Sequence, residues 1–221
     1  MPLSSDFEEQ YLALRTVNLP GWGGNNYSRR VQGWMDILAL IDKAGLLPEH
    51  GSLTLELGSG NGMVTQLLTE RGYDVEGIEI SETAVSWAIE HVTGKARFYV
   101  GNATDLGRWP RSSKDLVVDA NCLHCILGED RSLCLAEVHR ILHPEGKFLV
   151  SSMAGPPGEQ LPPGMRCQEG NLFLGDQPVR TIKQPEELES ELFCSGFQVI
   201  FRHLSNNPWW SHMTLLLRKR K

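Results

Sequence analysis

"TLELGSGNGMVTQLL", residues 54–68, decides how this chain folds. A β-branched and leucine run ends around an acid, Glu56; three glycines, Gly58, Gly60 and Gly62, follow at alternate positions; an apolar-periodic segment starts at Met63. Strand, glycine turn and helix N-terminus in that order make a unit that holds a ligand against backbone N–H groups. A dinucleotide fingerprint reads GxGxxG, its third glycine permitting close packing of helix on strand, and Met63 stands in that place. A phosphate loop requires Lys and then Ser or Thr after its last glycine, where this chain has Met63 and Val64. What is left is GxGxG behind an acid. A carboxylate there repels a pyrophosphate and welcomes an ammonium group, while the glycines let the backbone approach the ligand closely.

Outward from this stretch, strand-like apolar runs alternate with helical patterns. Strands are expected at 53–57, 74–80, 96–100, 115–119, 146–152, 197–203 and 213–218, and helices at 63–71, 82–92, 130–142 and 185–194. Ser81 suits the N-cap of the second helix and Pro185 the first turn of the last. Such alternation specifies an α/β, Rossmann-like, doubly wound sheet, mostly parallel, with helices on both faces. Residues 1–50 fall outside the rhythm: Val31, Trp34, Ile37, Leu38 and Ile41 recur at helical spacing after the turn-rich "NLPGWGGNNYSRR". So does the segment 154–182, which is too long and too rich in Pro and Gly for a simple connection and suits a lid or binding loop. The expected organisation is a helical lid at 1–50 and a ligand-binding domain at 51–221 with a lid insertion at about 154–182.

Composition sets the outer limits. With 221 residues, a single domain with a full hydrophobic core is the expectation. Hydrophobic residues make up 41% of the chain but never run to the roughly 18–20 that span a bilayer, and "MPLSSDFEEQ" has no signal-peptide pattern, so a cytoplasmic protein with no membrane partner is expected. A formal charge of −6 gives no basic field for a phosphate backbone, which argues against nucleic acid, and "RKRK" at 218–221 reads as a solvated tail. The five cysteines are odd in number and read as reduced thiols. Cys122 and Cys125 form a CxxC around His124, with Cys134, His139 and His143 downstream. Structural zinc sites draw two ligand pairs from short turns, whereas Cys134 fits the buried stripe of an amphipathic helix, so no metal is expected.

"LELGSGNG" resembles the first motif of the class I S-adenosylmethionine-dependent methyltransferases, and the likeness continues for roughly 170 residues, from Ser52 to the end. It implies a seven-stranded sheet with the last strand antiparallel. It also implies S-adenosyl-L-methionine as cofactor, with Glu56, Gly58, Ser59, Gly60 and Gly62 around the amino-acid end. In "YDVEGIEIS", Glu79 matches the acid that takes both ribose hydroxyls and Ile80 the apolar residue on the adenine. "GNATDL" is similar to the segment whose Asp accepts from the adenine amino group; here Asn102 stands there, an amide able to accept and to donate, and Ala103 offers backbone contacts. "KDLVVDANCLHCI" resembles strand four of the small-molecule members, with Asp119, Ala120 and Asn121 near the methionine moiety and Leu123–His124 in the loop beyond. His124 is either a general base or a packed cap on the cofactor. "AEVHRILHPEGKFLVSSM" looks like the helix and strand five of the same group.

The implied chemistry is an in-line displacement, in which the protein aligns an acceptor and excludes water. An amine or thiolate reacts once deprotonated; an alcohol needs its proton removed. No Asn or Asp followed by Pro-Pro and an aromatic comes after strand four, and no Pro-Cys nucleophile is present, which argues against adenine, glutamine and cytosine C5 as acceptors. The expectation is transfer to an O, N or S atom of a small molecule by a monomer or homodimer. Methylation of a protein side chain and non-catalytic cofactor binding are the alternatives. Tyr11, Trp22, Tyr27, Trp209 and Trp210 are the aromatic candidates for a closed pocket.

Overall fold

The computed structural model describes residues 3–158, 161–207 and 209–220. Helices α1 (Leu3–Thr16) and α2 (Tyr27–Lys43) precede β1 (Leu53–Leu57), α3 (Met63–Glu70), β2 (Asp74–Glu79), α4 (Glu82–His91), β3 (Ala96–Val100) and β4 (Lys114–Ala120). Then come α5 (Glu129–Ile141), β5 (Leu142–Ala154), the short strands β6 (Met165–Gln168), β7 (Asn171–Leu174) and β8 (Gln177–Thr181), α6 (Pro185–Cys194), β9 (Phe197–Asn206) and β10 (Ser211–Lys219). Seven strands form one sheet in the order β3-β2-β1-β4-β5-β10-β9. β1 pairs parallel with β2 and β2 with β3, while β10 runs antiparallel to both β5 and β9. This is the Rossmann-like sheet expected, last strand antiparallel. Leu116, Val117 and Val118 of β4 have no exposed surface, as a run covered on both faces requires, and each such burial is worth about 1.5–3 kcal/mol.

The chain divides into two compact units, Met1–Ala103 with Lys114–Leu116, and Thr104–Ser113 with Val117–Lys221. In the first, the expected N-terminal helices form, and α1 packs on α4. Tyr11 clusters with Ala84 and Trp87, with Leu14 and Trp22 against them. Ser81 caps α4 as expected, accepting from the Ala84 N–H at 3.0 Å. Glu8 grips the same turn: it accepts from Ser81 Oγ at 2.6 Å, from the Thr83 N–H at 3.2 Å, and from Thr83 Oγ1. Arg15 and Glu90 close the far end as an ion pair at 2.6 Å.

In the second unit, β5 starts at Leu142, directly after α5, rather than at 146. The segment 154–182, expected as a lid or binding loop, holds a three-stranded antiparallel sheet, β6-β7-β8. The turn between β6 and β7 explains it, because Glu169 (φ 49) and Gly170 (φ 73) both sit in the left-handed region, the geometry of a two-residue hairpin. Leu172 and Ile182 bury themselves against Met153 of β5, with Leu161, Cys167, Val179 and Trp210 packed around them. Gln184 caps α6, its N–H donating to Glu187 at 2.9 Å, with Pro185 in the first turn as expected. Of the closing basic run, Arg218 and Lys219 belong to β10, and Lys221 lies outside the described residues, as do Glu159 and Gln160 of the expected lid. Among the described residues, no helix is long and apolar enough to cross a membrane.

Candidate functional site

In the first unit the motif residues meet at the carboxyl ends of β1 and β2. Gly58, Gly60 and Gly62 all have positive φ (58°, 54° and 83°), which is why the turn is written in glycine. A Cβ on Gly62, the N-cap of α3, would lie 2.3 Å from Val92 Cγ2. The loop is tied to β2 by the Ser59 N–H, which donates to Ile78 O at 3.1 Å. Gly77 leaves room for that approach, since a Cβ there would meet Ser59 Oγ at 2.7 Å. Glu56 is buried, 2% exposed, and accepts from Thr65 Oγ1 at 2.5 Å. Ser59 Oγ is buried with no hydrogen-bond partner among the described residues.

Glu79 ends β2 at 6% exposure with its carboxylate laced into the backbone. One oxygen accepts from the Ile80 and Ser81 N–H groups at 2.8 and 3.0 Å, and the other from the Gly60 N–H at 3.0 Å. Burial raises its pKa, and those three N–H groups pull it back down. Ile80 is half-buried, Ala103 buried and Asn102 exposed beyond β3. The N-terminal segment covers the loop: the Tyr11 hydroxyl lies where a Cβ on Gly60 would come within 2.3 Å, and Asn61 Nδ2 donates to Pro20 O at 2.9 Å. Tyr27 also hydrogen-bonds the Asn61 side chain, and its pKa is raised by burial.

In the second unit Asp119, with no exposed surface, uses one oxygen to accept from the N–H groups of Cys122 and Leu123, at 2.7 and 2.8 Å. Its side chain caps the 3-10 turn Leu123–Cys125. Burial drives its pKa up to about 7, and its second oxygen has no partner among the described residues. Half-buried Ala120 leads into Asn121, which turns the chain at φ 76, a conformation Asn tolerates better than other side chains, and donates its N–H to Ser151 O at 3.1 Å. His124 is buried, 6% exposed, and its Nδ1 accepts from the Met153 N–H at 3.4 Å, so the neutral ring carries its proton on Nε2. His212 lies edge-on to it with ring centroids 6.2 Å apart. The indole N–H of Trp210 donates to His212 Nε2 at 3.1 Å, which puts that ring's proton on Nδ1.

Sequence reasoning missed His212 and Arg131. Arg131 donates to Leu123 O at 2.5 Å and makes two bonds to Glu191 at 2.7 and 2.9 Å, a second hold on the His124 turn besides Asp119. Its signal was present: a charge on the α5 stripe whose other members, Cys134, Leu135 and Val138, are buried. The aromatic candidates separate by unit, Tyr11, Trp22 and Tyr27 in the first and Trp209 and Trp210, tilted 45° to each other, in the second. Pro208 between them and the strand lies outside the described residues. Cys134 is a core thiol whose pKa burial pushes up to about 12. Among the described residues no three His, Cys, Asp or Glu side chains gather to hold a metal ion.

The sheet order and the glycine loop define a Rossmann-like methyltransferase fold. Residues 55–150 match the family model described as a methyltransferase domain. The chain is 29% identical over 135 residues to an uncharacterized methyltransferase of Geobacillus kaustophilus, a match covering 58% of this chain and 62% of that relative's length. An uncharacterized methyltransferase of Geobacillus thermodenitrificans is 24% identical over 83% of this chain and 89% of its own. The crystal structure of the Burkholderia thailandensis 1,6-didemethyltoxoflavin-N1-methyltransferase, with 1,6-didemethyltoxoflavin and S-adenosylhomocysteine bound, superposes with a TM-score of 0.74 at 21% identity, over 99% of this chain and 88% of that one. The chain thus resembles S-adenosylmethionine-dependent methyltransferases in fold, and its match to the methyltransferase domain spans residues 55–150.

Proposed function

We propose that this protein transfers a methyl group from S-adenosylmethionine to an O, N or S atom of a small molecule. The observation that carries the reading is the junction of Glu79 and Gly60: a buried carboxylate at the end of β2, bonded at 3.0 Å to the glycine loop that ends β1. The residues fit the cofactor. Ser59 Oγ is a buried hydroxyl with no hydrogen-bond partner among the described residues, inside a loop whose three glycines all have positive φ. Glu56 supplies negative charge for an ammonium, and the Glu79 oxygen that accepts only from the Gly60 N–H keeps lone-pair capacity for a ribose hydroxyl. Ile80 and Ala103 frame the base, with Asn102 at its amino edge.

When bound, the cofactor supplies a methyl on a sulfonium sulfur. The chain's own residues orient and exclude water. Tyr11, Pro20 and Tyr27 cover the loop from the N-terminal side, an enclosure that suits a small acceptor better than a polypeptide. Asp119 and Arg131 fix the turn that carries His124, and His124 offers an Nε2–H to orient an acceptor atom.

Calorimetry with S-adenosylhomocysteine and with NAD, followed by mass spectrometry of an acceptor panel with labelled methyl donor, tests the proposal. Micromolar binding of S-adenosylhomocysteine, no competition by NAD and one labelled small-molecule product are expected. Tight NAD binding without S-adenosylhomocysteine binding refutes it.

A further inference from the structure

The amino-acid end of S-adenosylmethionine is a zwitterion, and Glu56 accounts for only half of it. A carboxylate brought beside the glycine loop without a cation would face Glu56 unscreened. Arg15, Arg97 and Lys114 of the first unit are committed to Glu90, Asp74 and Glu76. Arg30 is different. It stands one turn beyond Tyr27 on α2, on the face whose tyrosine hydrogen-bonds Asn61 of the loop and feels the charge of Glu56. Its Nε is fully buried and has no hydrogen-bond partner among the described residues. Gly23, at φ 97, makes room for its stem, because a Cβ there would fall 2.5 Å from Arg30 Cδ. Burial lowers its pKa, and Tyr11, whose hydroxyl lies over Gly60, is the charge neighbour that acts against this. A buried guanidinium donor left unpaired costs several kcal/mol unless something arrives to accept from it.

We infer that Arg30 receives the α-carboxylate of the cofactor's amino-acid end, its planar fork opposite the ammonium site at Glu56. This rests on the cofactor reading given above. It gives the N-terminal segment a role in binding. Helix α2 thereby carries one of the two charges that select an amino-acid ligand.

The test pairs two ligands that differ only at the carboxylate. Binding of S-adenosylhomocysteine and of its decarboxylated analogue is measured by calorimetry on the full-length protein and on Arg30→Met and Arg30→Lys. The unaltered protein is expected to prefer S-adenosylhomocysteine by roughly 10- to 100-fold, the range of hydrogen bonds to a charged group. Arg30→Met should bind both ligands alike and hold the analogue within about twofold of the unaltered protein, and Arg30→Lys should recover part of the preference. Three results overturn the inference: no preference in the unaltered protein, a full preference in Arg30→Met, or an equal weakening of both ligands by that change, which marks a packing role. Should Arg30→Met fail to fold, Arg30→Gln decides by the same ratio. Failure of the unaltered protein to bind either ligand removes the cofactor reading and this inference with it, whereas equal binding of both removes the inference alone.

Discussion

Glu79→Gln separates what this side chain does for the fold from what it does for the ligand. The substitution keeps the shape and exchanges one oxygen for an amino group. If the amide oxygen stays on the Ile80 and Ser81 N–H groups, at 2.8 and 3.0 Å, the new NH₂ faces the Gly60 N–H, and the bond that spans 3.0 Å becomes a contact between two donors. Losing one hydrogen bond to a charged acceptor costs about 1.5–3 kcal/mol. Burial already disfavours the charge of Glu79, so the neutral amide recovers part of that cost. The net destabilisation expected is about 1–3 kcal/mol, and at about 2–4 °C per kcal/mol for a chain of this size the melting temperature should fall by roughly 2–12 °C. Calorimetric titration of S-adenosylhomocysteine should show a separate loss of at least about tenfold, because the NH₂ that replaces the oxygen facing Gly60 no longer accepts a ribose hydroxyl. An unchanged melting temperature would refute the anchoring of the loop through Glu79. An unchanged dissociation constant would refute its role at the ribose.

Asp119→Asn should flatten the dependence of stability on pH. The acid's pKa of about 7 in the fold against 3.8 as a free group means that its protonated form stabilises fully below about pH 4, and that this is lost as pH rises through about 7. The difference is on the order of 4 kcal/mol. Urea unfolding at pH 4.5, 6 and 8 checks it, and a slope in the unaltered protein no steeper than in Asp119→Asn counts against it. His124→Gln keeps a donor in place of Nε2–H and should turn over within about tenfold of the unaltered protein, whereas loss of a general base costs about 10²–10⁴ in both His124→Gln and His124→Ala; steady-state kinetics on the identified acceptor decides. Glu8→Ala removes the grip of α1 on the first turn of α4, and hydrogen exchange in residues 7–16 should quicken about fivefold, a loss of about 1 kcal/mol, while α4 keeps its Ser81 cap. Unchanged exchange there would mean that the apolar cluster of Tyr11, Trp22 and Trp87 holds α1 by itself.

The parts of this protein written in local backbone chemistry were legible in sequence. Gly58, Gly60 and Gly62 announced positive φ because nothing else adopts it cheaply, and Glu56 between buried Leu55 and Leu57 announced a strand carrying an acid to its end. Ser81 and Pro185 marked helix starts for equally local reasons. The three-stranded sheet at 165–181 stayed hidden because its strands are only four or five residues long and its turns are rich in the residues that also mark loops. The second role of Glu79, holding the Gly60 N–H, joins residues 19 apart in sequence, and no periodicity encodes it.

The acceptor stayed unread for a related reason. His124 meets Met153 from 29 residues away, and His212 takes its donor from Trp210 at the far end of the chain. Each ring has one nitrogen held by a group that can only donate, a backbone N–H for His124 Nδ1 and an indole N–H for His212 Nε2. Each neutral ring therefore keeps its proton on the other nitrogen. To strip a proton from a hydroxyl, either ring must break the bond that orients it, so under the proposed function these two imidazoles are poorly suited to generating an alkoxide. It is well suited to aligning an atom that is already nucleophilic. Within the proposed small-molecule chemistry this favours an amine or thiol acceptor over an alcohol, and the labelled-methyl screen should find its product on nitrogen or sulfur. A methyl ether as the main product, formed at a rate that survives His124→Gln and His212→Gln together, would show that neither imidazole governs the choice.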